Sequence, residues 1–143
     1  MLLEAVKQRV EDGVAELSGR VQEAVSLAEL IKRGQAPATT PAAFLLPLGL
    51  RGGAVQSVAN LFIQSLDRMI GLVLMMRADG DARGARAFDR LSPLIDAAIE
   101  AVAGWAPDEA IGVFRLGRGE LVSMAGGLIV YQLDFILDDQ LRI

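Results

Sequence analysis

The side chains that most often carry catalysis or metal binding are scarce in this chain of 143 residues. It contains neither histidine nor cysteine. The commonest metal ligand, the commonest general base and the thiolate nucleophile are therefore missing, and disulfide bonds are excluded. No serine lies in a Gly-x-Ser-x-Gly elbow and none has a histidine base, so serine hydrolysis is set aside as well.

Carboxylates are the remaining candidates for chemistry. Asp79 and Asp81 resemble part of a divalent-cation site, but the spacing supplies no third or fourth ligand, and a turn that caps the following helix explains them better. A pair such as Asp134 with Asp138 would need burial to raise one pKa for acid and base work, and nothing in the sequence indicates such burial. We therefore predict no catalytic, metal or cofactor-binding residue, no cofactor, and a protein that is not an enzyme.

The composition indicates burial against other protein chains. Hydrophobic residues make up 52% of the chain before its 15 glycines are counted, and adding glycine takes the apolar share to roughly 60%, above the usual range. No apolar run reaches the roughly 18 residues that span a bilayer, and the charged first residues do not match a secretion signal. We expect no membrane partner and an oligomer that buries the apolar excess between subunits.

The charge of the chain also limits its partners. A net charge of −4 and a pI near 4.8 argue against a protein that grips nucleic-acid phosphates through a broad basic surface. We expect DNA to pass near the protein without being bound by it.

Hydrophobic spacing predicts helices where apolar residues recur every three or four positions, and strands where they alternate or form short buried runs. The predicted helices cover residues 2–17, 27–33 and 83–103. The apolar stripe of the first consists of Leu3, Val6, Val10, Val14 and Leu17, and that of the third consists of Phe88, Leu91, Ile95, Ala98, Val102 and Trp105. The predicted strands cover residues 20–25, 42–48, 58–77, 113–116, 121–124 and 128–138. In the last strand one face, which we expect to pack, carries Ile129, Tyr131, Leu133, Phe135 and Leu137.

Local signals predict how these elements begin and end. Ser26 and Glu29 fit a capping box for the second helix, and Gly34 supplies its left-handed stop. The glycine-rich segment 49–53 lacks the lysine of a phosphate-binding loop and is interpreted as a flexible loop. A second glycine-rich segment, 117–119, is interpreted as a turn between two strands.

The third predicted helix has the clearest period in the chain, and Pro93 falls in its middle. A proline removes one backbone hydrogen bond, so it either kinks this helix or starts a second segment capped by Ser92. The succession of elements contains no repeat and no alternation of strand and helix units. We predict one α+β domain over residues 1–143, with an antiparallel or mixed sheet packed on one face by the long helix and the N-terminal helix.

Charged side chains line both flanks of the long helix. A solvated surface with weak ion pairs explains them simply, whereas a sharper hypothesis pairs them with complementary charges on neighbouring subunits. The basic flank holds Arg83, Arg86 and Arg90, and the acidic flank holds Asp89, Asp96 and Glu100.

Several segments in succession resemble the tail terminator, or tail completion, proteins of long-tailed phages and prophage-derived particles. They are residues 40–49, residues 70–74 continuing through Arg77 to 84–89, residues 103–107, and residues 117–121 followed by the strand with Tyr131, Asp134 and Phe135. The resemblance covers about residues 35–138. It departs at Val130 and Tyr131, where the family usually carries adjacent tryptophans, and in the predicted loop at residues 50–65, which is unusual for the family.

The resemblance implies a structural subunit and no reaction. Members of this family form a ring, commonly a hexamer, on the end of the completed tail tube, where it stops tube growth and meets the head connector. The implied partners are other copies of the chain, the major tail tube protein and a head-tail connector or stopper protein, with DNA in transit through the lumen. The implied location is the virion tail or neck, reached from the host cytoplasm during assembly.

On this basis we predict two sets of site residues. The candidate contacts with subunits or the tube are Arg83, Arg86, Arg90, Asp96, Glu100, Trp105, Tyr131, Asp134 and Phe135. The candidate acidic residues of the lumen are Asp108, Glu109, Asp138 and Asp139. Two alternatives stay open, namely another neck or head-to-tail completion protein, and a small-ligand binding module or carboxylate enzyme, which requires a closed pocket and a carboxylate of raised pKa.

Overall fold

A computed structural model describes residues 2–80, 84–107 and 110–143. Five of its elements are strands of one mixed sheet, in the order β1-β2-β3-β5-β4. Strand β1 is parallel to β2, and every other neighbouring pair is antiparallel. The strands are β1 (Val21–Glu23), β2 (Ala42–Val58), β3 (Leu61–Arg77), β4 (Phe114–Ala125) and β5 (Leu128–Arg142).

Three α-helices flank this sheet, which confirms the predicted α+β class. They are α1 (Leu2–Gly13), α2 (Ala24–Arg33) and α3 (Ala85–Val102). Helices α1 and α3 pack on one face over the larger apolar cluster, which includes Leu72, Leu74 and Leu133. Helix α2 packs on the opposite face over a small cluster around Phe44 and Val73. None of the helices in the described ranges is long and apolar enough to cross a membrane.

The first helix is shorter than predicted. Helix α1 ends at Gly13, Val14 adopts an extended conformation, and a single 3₁₀ turn follows at Ala15–Leu17. Val14 and Leu17 are still buried, so the apolar stripe predicted the core correctly although the backbone changes beneath it. Gly13 brings α1 close to α3, since a Cβ atom built at this glycine would lie 2.8 Å from the Cβ atom of Ala101.

The second helix starts earlier than predicted, and the capping box is wrong. Helix α2 begins at Ala24 after the N-cap residue Glu23, so Ser26 lies inside its first turn. The predicted stop is confirmed, because Gly34 has a φ of 62° and its amide donates to the carbonyl of Ile31. The next amide, of Gln35, donates to Leu30, which completes a Schellman motif.

The predicted loop at residues 49–53 is wrong, because this segment belongs to strand β2. Strands β2 and β3 pair along almost their whole length, with irregularities between Pro47 and Gly49 and between Gly52 and Val55. The hairpin closes at Ala59 and Asn60, which both have positive φ, as a type I′ turn requires.

The last part of the chain forms two strands where three were predicted. Residues 117–119 lie within β4 rather than in a turn, and β5 continues past Asp138 to Arg142. Helix α3 runs through Pro93 without interruption, so the alternative of a second segment capped by Ser92 is wrong. Pro93 lies on the exposed side of this helix.

Candidate assembly interface

Strands β2, β3 and β5 extend beyond the helices as a three-stranded arm, which we define as residues 49–58, 61–68 and 138–143. Every residue from 49 to 61 is exposed, and neither apolar cluster of the described residues reaches beyond Ile70 and Leu137 into the arm. The arm is held by strand pairing, ending in two hydrogen bonds between Phe62 and Ile143. Its side chains therefore meet solvent where those of the sheet proper meet a helix.

The two faces of the arm differ in polarity. Register partners in an antiparallel sheet share a face, and the even-numbered residues of β3 face helices α1 and α3 further along the strand. On this helix side most of the arm's side chains are apolar, with the polar Ser57 and Gln64 among them, and Gln64 donates to the Gly53 carbonyl at 3.3 Å. We call the apolar part of this surface the apolar arm face. It consists of Leu50, Val55, Phe62, Leu66, Leu141 and Ile143.

The opposite face of the arm is mostly polar. It carries residues such as Arg51, Gln56 and Ser65, although Val58 and Ile63 make it apolar near the tip. Neighbouring residues of one strand thus meet different surroundings, as Val55 and Gln56 do.

Charged residues cross-link the base of the arm on both faces. On the polar face Asp67 and Asp138 lie directly opposite each other, and the Nη2 atom of Arg115 lies 3.7 Å and 3.6 Å from their carboxylates. On the helix side Arg68 Nε donates to Asp139 Oδ2 at 2.5 Å. Like charges opposite each other repel, and Arg115 lies close enough to both carboxylates to offset part of this repulsion.

The candidate lumen acids do not form one surface. Asp138 and Asp139 are consecutive in β5 and therefore point to opposite faces. Burial raises the pKa of Asp139, but the hydrogen bonds from Arg68 and from the Gln140 amide outweigh it and hold this pKa below its ordinary value. That direction is the reverse of what the carboxylate-enzyme alternative requires. The other two candidates, Asp108 and Glu109, lie outside the described residues.

A second apolar surface lies on the edge strand at the other side of the sheet. The register partners of Leu116, Leu121 and Met124 in β5 contribute to the core beneath α3, so these side chains also face the helix side. All three remain 39–47% exposed, because α3 covers β4 only in part, and Phe88 of α3 is 36% exposed beside them. We call these four residues the β4 strip.

Two of the aromatic candidates are engaged within the chain. Trp105 stacks on Phe114 with ring centres 5.9 Å apart, and Tyr131 meets the ring of Phe88 edge-on at 6.4 Å. Both keep partial exposure. Phe135, by contrast, is only 1% exposed and belongs to the core, so its prediction as a contact residue is corrected: in this fold it offers no surface to a partner.

Sequence reasoning missed Arg9 as the partner of Trp105. Its guanidinium lies 5.3 Å from the centre of the Trp105 ring, and its Nε atom donates to the Ala101 carbonyl at 2.7 Å. Ala101 is 92 positions away, so no local pattern indicates the contact.

The charged candidates of α3 lie on its solvent side. Arg86 and Arg90 border a shallow concavity of about 480 Å³ together with Asp79 and Asp89, and Arg90 also donates to the carbonyl of Arg77 at 3.2 Å. The acidic candidates Asp96 and Glu100 are exposed. Arg83 lies outside the described residues.

The polar groups that the structure describes do not indicate a metal site. Asp134, a further candidate contact, accepts a hydrogen bond from Gln132 at 2.7 Å on the face opposite α1 and α3. Across the ranges that the structure describes, no cluster of three or more acidic side chains is placed to hold a metal ion. The exposed apolar surfaces are therefore the features of this fold that call for a function.

Comparison with known proteins identifies that function in outline. A family model described as phage tail terminator protein matches residues 1–143, which confirms the resemblance inferred from the sequence. A search of curated proteins finds no match.

Proposed function

Since this chain belongs to the phage tail terminator family, a family of structural proteins of the virion tail, we propose that it is a subunit of a ring that caps the tail tube. The ring ends tube growth and forms the joint to the head connector. Its partners are other copies of the chain, the major tail tube protein and a connector or stopper protein. The subunits meet in the host cytoplasm, each as a single domain over residues 1–143, and commonly as six copies.

The observation that carries this proposal is the amount of apolar surface left uncovered on a folded chain. The apolar arm face and the β4 strip together hold eight large hydrophobic side chains that are at least about one third exposed, with Phe62 and Leu66 half-buried among them. They are Leu50, Val55, Leu141, Ile143, Phe88, Leu116, Leu121 and Met124. Contiguous apolar surfaces of this kind are typical of contacts between proteins.

The charge of the chain supports a lumen that DNA passes through without being held. Each subunit has a net charge of −4, so a ring of several copies carries a summed negative charge that repels phosphates. Asp138 remains our candidate for the lumen surface, since it is exposed on the polar face of the arm base.

The test is assembly of tail tubes with and without the purified chain. Tube protein alone should polymerise to variable lengths, and added chain should stop elongation and leave a ring at one tube end in electron micrographs. Tubes of unchanged length without a terminal ring would refute the capping function. A ring found instead between head and connector would favour the other neck components.

A further inference from the structure

The apolar arm face and the β4 strip cannot cover each other within one chain. Strands β3 and β5 lie between β2 and β4 in the sheet, and paired strands hold both surfaces in place. Each surface therefore stays exposed unless another molecule covers it.

We propose that the apolar arm face of one copy packs on the β4 strip of the next copy, head to tail. The inference rests on the proposed ring and assigns its interface. Two different surfaces that bind each other make a heterologous contact, which closes into a ring when the rotation between copies is suitable. Arm-to-arm pairing would instead stop at a dimer.

The charges of both surfaces suit this pairing. Arg68 and Asp139 are the charged side chains on the helix side of the arm among the described residues, and they already form an ion pair with each other. On the strip, the three charged residues of β4 have register partners on the opposite face of β5, so they point away. Among the described side chains of the arm and of β4, docking thus buries no unpaired charge, which would cost several kcal/mol. The charged residues that point away are Arg115, Arg118 and Glu120.

The dimensions of both surfaces also agree. Along β3, the apolar arm face runs from Arg68, the partner of Leu50, to Phe62. Along β5, the strip runs from Phe135, the partner of Leu116, to Ile129, the partner of Met124. Each span is six residue steps, or about 20 Å of extended strand. Each surface contains one phenylalanine, Phe62 or Phe88, and the strip also contains Met124; aromatic and methionine side chains are enriched at interface cores.

The first experiment places a charge on either surface and compares it with a charge on the opposite face. Val55→Asp and Leu121→Asp should each weaken association at least about tenfold in light scattering over a concentration series, because each forces an unpaired carboxylate into the contact. The controls Gln56→Asp and Ser123→Asp carry the same charge on the other side of the sheet and should associate like the unchanged chain.

Mixing the two defective variants separates head-to-tail docking from every symmetric alternative. The Val55→Asp variant keeps an intact β4 strip, and the Leu121→Asp variant keeps an intact apolar arm face. These two surfaces can form one contact, and no further copy can add to the pair. We expect a one-to-one heterodimer from two monomeric variants. Failure of the mixture to form it, or full association of either variant alone, overturns the docking proposal.

Chemical cross-linking provides a second measurement that does not depend on loss of association. The chain has no cysteine, so Val55→Cys combined with Leu121→Cys gives two reactive positions, which a short bifunctional thiol reagent should link into a ladder of multimers. Gln56→Cys with Leu121→Cys should not form the ladder, and if it does so equally well the assignment is wrong.

The same data distinguish the two levels of inference. An unchanged chain that oligomerises while both charge variants still associate refutes the docking surfaces and leaves the ring intact. An unchanged chain that stays monomeric at every concentration, and forms no ring on tubes, refutes the ring and the docking together.

Discussion

Replacing Arg9 by methionine should destabilise the domain by removing the cation at the end of helix α3. This helix ends at Val102 and has no basic residue in its last turn. The Ala101 carbonyl is one of the four at a helix end that lack a helical partner, and Arg9 of helix α1 donates to it at 2.7 Å. Arg9 also lies over the Trp105 ring, so one side chain joins α1, α3 and the segment that follows.

The expected loss is about 1.5 kcal/mol. A hydrogen bond from a charged donor contributes about 1.5–3 kcal/mol, and the low end applies because Arg9 is exposed to solvent. The loss of about 1.5 kcal/mol includes the favourable interaction of the Arg9 charge with the C-terminus of α3, because this interaction acts through the same contact. For a chain of this length each kcal/mol lowers the melting temperature by about 3 °C, which predicts a shift of about 5 °C.

Two variants make the measurement specific. Lys7→Met changes the same charge on the same helix, so a shift of equal size in both would refute the contact as the cause. Arg9→Lys keeps the charge but loses the planar guanidinium and should recover about half of the stability. Trp105 is the single tryptophan, so its fluorescence should change in Arg9→Met and stay constant in Lys7→Met; unchanged emission and melting temperature in Arg9→Met would contradict the reasoning.

Three further outcomes follow from burial, charge and backbone geometry. Leu91→Ala should lower the free energy of unfolding by about 3 kcal/mol in urea titrations, whereas Phe88→Ala on the same helix should cost less than half of that, since Leu91 is fully buried and Phe88 is not; equal losses would show that the β4 strip is part of the core. Asp139→Asn should cost less than about 1 kcal/mol at pH 7. Because the pKa of Asp139 is lowered by folding, its contribution is present above the unfolded pKa and is lost as pH falls through the folded one, so the two proteins should converge in acid melts below about pH 4. Ala59→Gly should raise stability by about 0.5 kcal/mol in the same titrations, since Ala59 has a φ of 42° that glycine adopts without strain; a loss would indicate that the turn geometry is different.

The core was predictable from the sequence because its signals are local. The apolar periods placed Val6, Val10 and Leu91 in the interior, and all three are fully buried. The alternation in β5 likewise predicted which side chains face the helices. Gly34 ends α2 where the pattern indicated.

The arm was not predictable because its cause is distant in sequence. Gly52 and Gly53 are typical of a loop, but β3 supplies partners for this segment, and the glycines coincide with an irregularity in the pairing, where they are tolerated. The turn at Ala59 and Asn60 lacks the glycine that usually marks a hairpin. Gly119 was also interpreted as part of a turn because glycine is typical of turns. In the structure it lies in β4, where a Cβ atom would be 3.1 Å from the Tyr131 hydroxyl.

The candidate interface likewise has residues that the sequence could identify and residues that it could not. Trp105 and Tyr131 were identified from their type and are partly exposed. Phe135 was misjudged because it shares one face of β5 with Tyr131, and the sequence does not show how far along that face the helices reach. The apolar arm face escaped notice because it exists only once three separate segments are paired.

Strand β3 lies half inside the domain and half outside it. Between Ile70 and Met76 its amides are enclosed by packed side chains on both faces, so they exchange with solvent deuterium only when the whole domain unfolds. Between Leu61 and Arg68 the same strand has water on both sides, and its hydrogen bonds open by local fraying at much lower free energy. One continuous strand should thus contain a slowly and a rapidly exchanging segment, and the proposed docking of a neighbouring subunit on the arm should slow exchange in the second.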